Sequence, residues 1–197
     1  MHISNDRYFD DRQRHDLALR MIRHEARTCT IRSCTGLTDD RIRRLYKTYA
    51  SHMKSAPLRR RRGKSPRQVA FFVRNTRAQF ESSLLASVFQ SFGLRHAATH
   101  STVGESIAFG RLFCDAYETH RQLLRTADIS FEHAWFLLQL LSRDDDLRAV
   151  RCRHCDSQYL RDRLSLCRRA CPVCKLKRSG VGKRLQRCSN TPPEPVR

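Results

Sequence analysis

Long apolar runs and the glycine patterns of catalysis are what this sequence lacks, and acidic side chains are what it is short of. Its longest apolar stretch, Ala134 to Leu141, falls far short of the roughly 20 residues that cross a bilayer. It reads as a core helix, and a membrane-spanning one is excluded. The amino terminus, MHISNDRYFDD, is polar and acidic, without an apolar secretory segment. The seven glycines form no GxGxxG or Walker phosphate loop, and no Gly-x-Ser-x-Gly elbow occurs. His96 and His100 read as surface or capping groups. Cys29, Cys34 and Cys114 have no adjacent histidine arrangement that would make a nucleophile. No internal repeat is present, and no residue is assigned a catalytic role, so the chain is not read as an enzyme.

The shortage of acid defines the partner. There are 39 Lys and Arg against 19 Asp and Glu, a formal net charge of +20. Such an excess repels itself unless a polyanion neutralises it, and it confers sequence-independent affinity for phosphate backbones. Arginine supplies most of it, and its planar fork suits bidentate phosphate and guanine contacts. An anionic membrane surface is the other polyanion, but no helix pairs a long apolar face with a lysine-rich one. Nucleic acid therefore leads, and the partner expected of the whole chain is double-stranded DNA. Hydrophobic content of 40% with ten phenylalanines predicts a folded chain, long enough for one substantial core plus a satellite.

The nine cysteines are an odd number, and four of them fall in a pattern. Cys152-Arg-His-Cys155 and Cys171-Pro-Val-Cys174 are two tight knuckles separated by fifteen residues. That spacing lets a small hairpin bring four thiolates around one tetrahedral ion. Zn2+, one per chain, suits four soft sulfur ligands and leaves no open position for chemistry, so the site is structural. Disulfide pairing is the first alternative, although a reducing compartment favours metal. An iron–sulfur cluster is the second. His154 and Cys167 are expected to point outward or to support the ligands from behind.

Along the chain the fold class is mainly α: a helical body with a helix-turn-helix-like amino-terminal part and a small carboxy-terminal four-cysteine zinc-binding segment. The expected division is 1–56 amino-terminal helices, 57–66 basic linker, 67–146 helical core, 147–178 zinc segment and 179–197 disordered basic tail. A helix over 11–27 buries Leu17, Ala18, Met21, Ile22 and Ala26. A short helix with Ile31 and Cys34 inward ends at Gly36, which tolerates the left-handed turn conformation. Leu37 plugs the corner, and Thr38 caps a second helix that buries Ile42, Leu45, Tyr46 and Tyr49. This is a helix-turn-helix pattern, with Arg32 where a small residue is usual. The candidate DNA contacts are Thr38, Arg41, Arg43, Arg44 and Lys47, joined by Arg59, Arg60, Arg61 and Arg62 of the linker. The bland alternative is a helical hairpin with a solvated basic face. One helix over 67–92 carries Phe72, Val73, Phe80, Leu84, Val88 and Phe92. Another over 105–126 carries Phe109, Leu112, Phe113, Ala116, Leu123 and Leu124. Ser130 caps a third, with Ala134, Trp135, Leu137, Leu138 and Leu141. These stripes are read first as core. The tail's Cys188 is read as a free thiol.

Four stretches in order resemble the FlhC family, the zinc-binding subunits of bacterial flagellar master transcription activators. They are Thr35-Gly-Leu-Thr-Asp-Asp-Arg-Ile-Arg-Arg-Leu-Tyr-Lys47, Gly63-Lys-Ser-Pro66 leading to Phe71 and Phe72, Ala86-Ser-Val-Phe89, and the paired cysteine knuckles. The resemblance implies zinc ligands at Cys152, Cys155, Cys171 and Cys174. It also implies a heterohexamer of four FlhD and two FlhC chains that binds flagellar operon promoters, recruits RNA polymerase, and sits in the cytoplasm with the nucleoid. The run Arg59–Arg62, Cys167 and the basic tail depart from the family's pattern. A zinc-ribbon RNA-binding or ribosome-associated protein is the competing reading, and an interaction adaptor is a third.

Overall fold

Apolar residues three and four apart recur through most of this chain, and they fold it into helices. The computed structural model describes residues 3–52, 61, 63–94, 107–143, 146–164 and 171–179. In order these form α1 (Ile3–Arg23), α2 (Thr28–Thr35), α3 (Asp39–His52), α4 (Ala70–Val73), α5 (Thr76–Ser91), α6 (Ile107–Leu123) and α7 (Phe131–Arg143). Then come β1 (Leu147–Arg151) and β2 (Gln158–Asp162), and a last helix, α8, over 172–179. The fold is mainly helical, as the periodicity predicts.

Helix α1 begins and ends earlier than the expected 11–27. Its carboxyl end closes as a Schellman turn: Ala26 N–H donates to the Met21 carbonyl and Glu25 N–H to that of Ile22. Glu25 takes the left-handed position at φ 56°. Because Met21 and Ala26 are both fully buried, their packing fixes the direction in which the chain leaves α1. At the end of α2, Gly36 adopts φ 68° and returns its N–H to Arg32. Leu37 is buried between the helices. Thr38 Oγ1 accepts the Arg41 N–H at 3.4 Å as the cap of α3. Arg32 faces solvent and pairs with Asp39 at 3.1 Å, so it does not obstruct the α2–α3 corner.

The expected helix over 67–92 is two helices. Asn75 is extended, and its side chain accepts the Ala78 N–H at 2.7 Å, starting α5 afresh. The restart rotates the buried face. Leu85, Ala86 and Phe89 are buried, whereas Phe80, Leu84 and Phe92 are only partly so. Leu112 and Leu123 of α6, expected inward, are exposed. Aromatic stacking fills the centre: Phe113 lies edge-on to Phe131 and to Trp135, each at 5.0 Å between ring centroids. One hydrophobic cluster extends from Leu17 on α1 to Leu160 on β2.

Candidate metal centre

β1 and β2 pair antiparallel, with Leu147 opposite Asp162, Arg148 opposite Arg161, Ala149 opposite Leu160 and Val150 opposite Tyr159. The first cysteine knuckle is the turn of this hairpin. The hairpin therefore surrounds that knuckle, where the sequence had placed it in the spacer beyond. Cys152 N–H donates to the Ser157 carbonyl and Asp156 N–H to that of Cys152, both at 3.0 Å. Asp156 takes φ 54° to close the turn. The second knuckle opens α8: Cys171 precedes it and Cys174 lies in its first turn.

The inner side of β2 fixes this assembly to the helical body. Leu160 is fully buried. Its N–H donates to Ser83 Oγ at 2.9 Å and its carbonyl accepts from Gln79 Nε2 at 2.8 Å. Both side chains belong to α5. The strand edge, which would otherwise expose unpaired main-chain groups, is thereby satisfied by a helix.

The four sulfurs of Cys152, Cys155, Cys171 and Cys174 all lie within 4.8 Å of one another. Cys152 Sγ is 3.9 Å from Cys174 Sγ, and Cys155 Sγ is 3.4 Å from Cys171 Sγ. A tetrahedron with metal–sulfur arms of ~2.3 Å has edges of about 3.8 Å, so the spacing fits one ion. It is too long for a disulfide, and the thiols are free. Main-chain N–H groups point at the sulfurs: His154 N lies 3.5 Å from Cys152 Sγ and Cys174 N 3.3 Å from Cys171 Sγ. The His154 side chain is exposed.

The four thiols are electrostatically unequal. Hydrogen bonding to Ser157 brings the Cys155 thiol down to about 6, and the His154 N–H lowers Cys152. Burial raises Cys171, and sharing a proton with Cys171 and its neighbours pushes Cys174 up to about 12. Four such sulfurs cannot all be thiolates side by side without a cation to hold them. Cys34 and Cys114 behave otherwise. Burial raises both thiols, Cys114 to about 12, so neither is an activated nucleophile.

Of the sequence-chosen DNA residues, Arg41, Arg43, Arg44 and Lys47 lie on α3 with Thr38 at its cap, and two of the four cations are already paired. Arg41 pairs with Asp11 of α1 at 3.1 Å and Arg43 with Asp40 at 2.9 Å. Arg44 and Lys47 are exposed. Arg61 pairs with Glu25 at 3.0 Å. Arg59, Arg60, Arg62, Cys167, Cys188, His96 and His100 lie outside the described residues, as does all but the first position of the 179–197 tail. Sequence reasoning missed Ser157, Gln79 and Ser83. Ser157 follows the knuckle by two positions and could have been considered there; the α5 pair had no local signal.

No helix among the described residues is long and apolar enough to cross a membrane. No curated protein matches the chain in sequence. The family model for FlhC, the flagellar transcriptional activator, matches residues 4–186 of the 197. On that match the chain belongs to the FlhC family of flagellar transcriptional activators.

Proposed function

We propose that this chain is the zinc-binding, DNA-contacting subunit of a flagellar transcription activator. The observation that carries this reading is the convergence of four free thiols at metal-sized spacing in a protein of net charge +20. Cys152, Cys155, Cys171 and Cys174 would hold one Zn2+, whose role is to tie the hairpin turn to α8. Four sulfurs all within 4.8 Å of one another favour a single ion over an iron–sulfur cluster, which would hold the cysteines further apart.

In this reading α3 presents Thr38, Arg41, Arg43, Arg44 and Lys47 to duplex DNA, and Arg59, Arg60, Arg61 and Arg62 contact phosphates. Phosphate contacts set register while a few side chains read base edges. A smaller FlhD-type subunit completes a hexamer of four FlhD and two FlhC chains. The assembly recruits RNA polymerase at flagellar promoters in the cytoplasm. Exposed Tyr8 and Phe9 near the start of α1 support a protein partner for that end.

Two measurements test this. Purified protein should carry one zinc per chain, and Cys155→Ser or Cys174→Ser should lose it; full occupancy in both variants would refute the ligand set. Filter binding to a flagellar promoter fragment should weaken steeply with salt. A flat salt response, or preference for structured RNA over the promoter, would contradict DNA binding.

A further inference from the structure

The outer face of the hairpin carries a feature that neither the metal nor the core explains. Alternation along the strands turns Leu147, Ala149 and Leu160 toward the helical body, so Arg148, Val150, Tyr159 and Arg161 share the other side. Arg148 stands directly opposite Arg161. The two guanidiniums concentrate positive charge on that side, and Arg161 also makes an interaction of its own.

The nearby acids do not relieve Arg148. Asp156 pairs with Arg151 at 3.2 Å. Asp162 is on the inner register and accepts the Leu164 N–H at 2.9 Å. Asp146, two positions earlier, makes no ion pair with Arg148 among the described residues. Nor does Arg148 serve the thiolates: it lies four residues from Cys152, roughly 13 Å along an extended strand. The surroundings are basic throughout. Residues 147–164 and 171–179 hold eight Arg and Lys against two Asp. On α3, by contrast, the arginines at 41 and 43 are answered by aspartates.

We infer that the solvent face of this hairpin, centred on Arg148 with Arg161 and Tyr159 beside it, is a binding surface for the phosphate backbone of duplex DNA. The inference rests on the DNA-binding function proposed above and adds a contact site distinct from α3. Duplex phosphates, spaced regularly along each strand, supply the negative charge that Arg148 lacks among the described residues. Tyr159 offers a phenol O–H that can donate to a phosphate oxygen.

The test is Arg148→Glu in the full-length protein, bound to a promoter duplex across a salt series. Arg148 is exposed and four positions from Cys152, so the variant should keep its metal and its melting temperature. Its affinity should nonetheless fall about tenfold or more, and its log K against log salt slope should become shallower by about 1. Arg148→Gln, which removes charge without reversing it, should show a smaller loss of affinity with the same metal content. Unchanged affinity and slope in both variants, with wild type binding normally, would overturn this surface while leaving the proposed function standing. Wild-type protein that binds no duplex would overturn both. Loss of metal in Arg148→Gln would assign the arginine to the zinc centre instead.

Discussion

At the scale of single residues, three polar groups, of which Glu132 and His120 are buried and Glu118 partly exposed, decide how the helical body responds to change. Glu132 on α7 is buried and accepts the Arg27 N–H at 2.8 Å and the Thr30 hydroxyl at 3.1 Å, so one carboxylate caps α2 from another helix. Replacing it by alanine orphans both donors, and a loss of ~1–3 kcal/mol is expected in urea unfolding. His120 on α6 is fully buried with neither ring nitrogen bonded to a described residue, and burial lowers its pKa. The unfolded chain takes up this proton near the ordinary histidine value, about 6.5, before the folded chain does. Stability should therefore fall as pH drops below that point, and His120→Leu should flatten the dependence between pH 7.5 and 5.5. An unchanged slope in that variant would contradict the assignment. Glu118 acts in a separate window. Hydrogen bonds from Arg20 at 2.7 and 2.9 Å hold its carboxyl at about 2. The stability it adds is full above its ordinary value and is lost as pH falls toward 2.

At the scale of elements, close packing and anchoring matter more than propensity. Gly110 of α6 meets α1 and α2 at a crossing with no room for a side chain. An added Cβ would sit 2.8 Å from Leu17 Cδ2 and 2.9 Å from Cys34 Cβ. Gly110→Ala should therefore cost ~1–3 kcal/mol despite its better helix propensity, and a stabilised variant would show that the crossing can relax. Leu160→Ala should free the hairpin from α5, at ~2–5 kcal/mol, with faster amide exchange over 158–162 and faster metal loss to a chelator. This scale also shows what the sequence could reveal. The turn at Gly36, the plug at Leu37 and the cap at Thr38 were legible because each rests on a local rule about one residue's backbone or side chain. The break at Asn75 was not legible, because Phe72 and Val73 continue the apolar spacing across it and periodicity alone cannot register a cap. Leu112 and Leu123 misled for the converse reason: helical spacing marks a face without saying what covers it.

At the scale of the whole molecule, the cysteine centre was the most legible feature. Four cysteines able to hold one ion are marked by a short, fixed sequence spacing that owes little to the rest of the fold. The surface proposed to face DNA was the least legible, since charge composition announces a polyanion but not which arginines are already paired. The aspartates answering Arg41 and Arg43 come from sequence positions 11 and 40, and only the folded structure brings Asp11 to α3. What joins the two features is the hairpin, whose turn supplies half the thiols, whose inner face locks onto α5 and whose outer face carries concentrated positive charge. The most direct measurement is a footprint on a flagellar promoter, taken with the purified protein and its partner subunit before zinc removal, after it, and after zinc is restored. The account predicts protection that disappears with the metal and returns with it. Equal protection from the metal-free protein would contradict it.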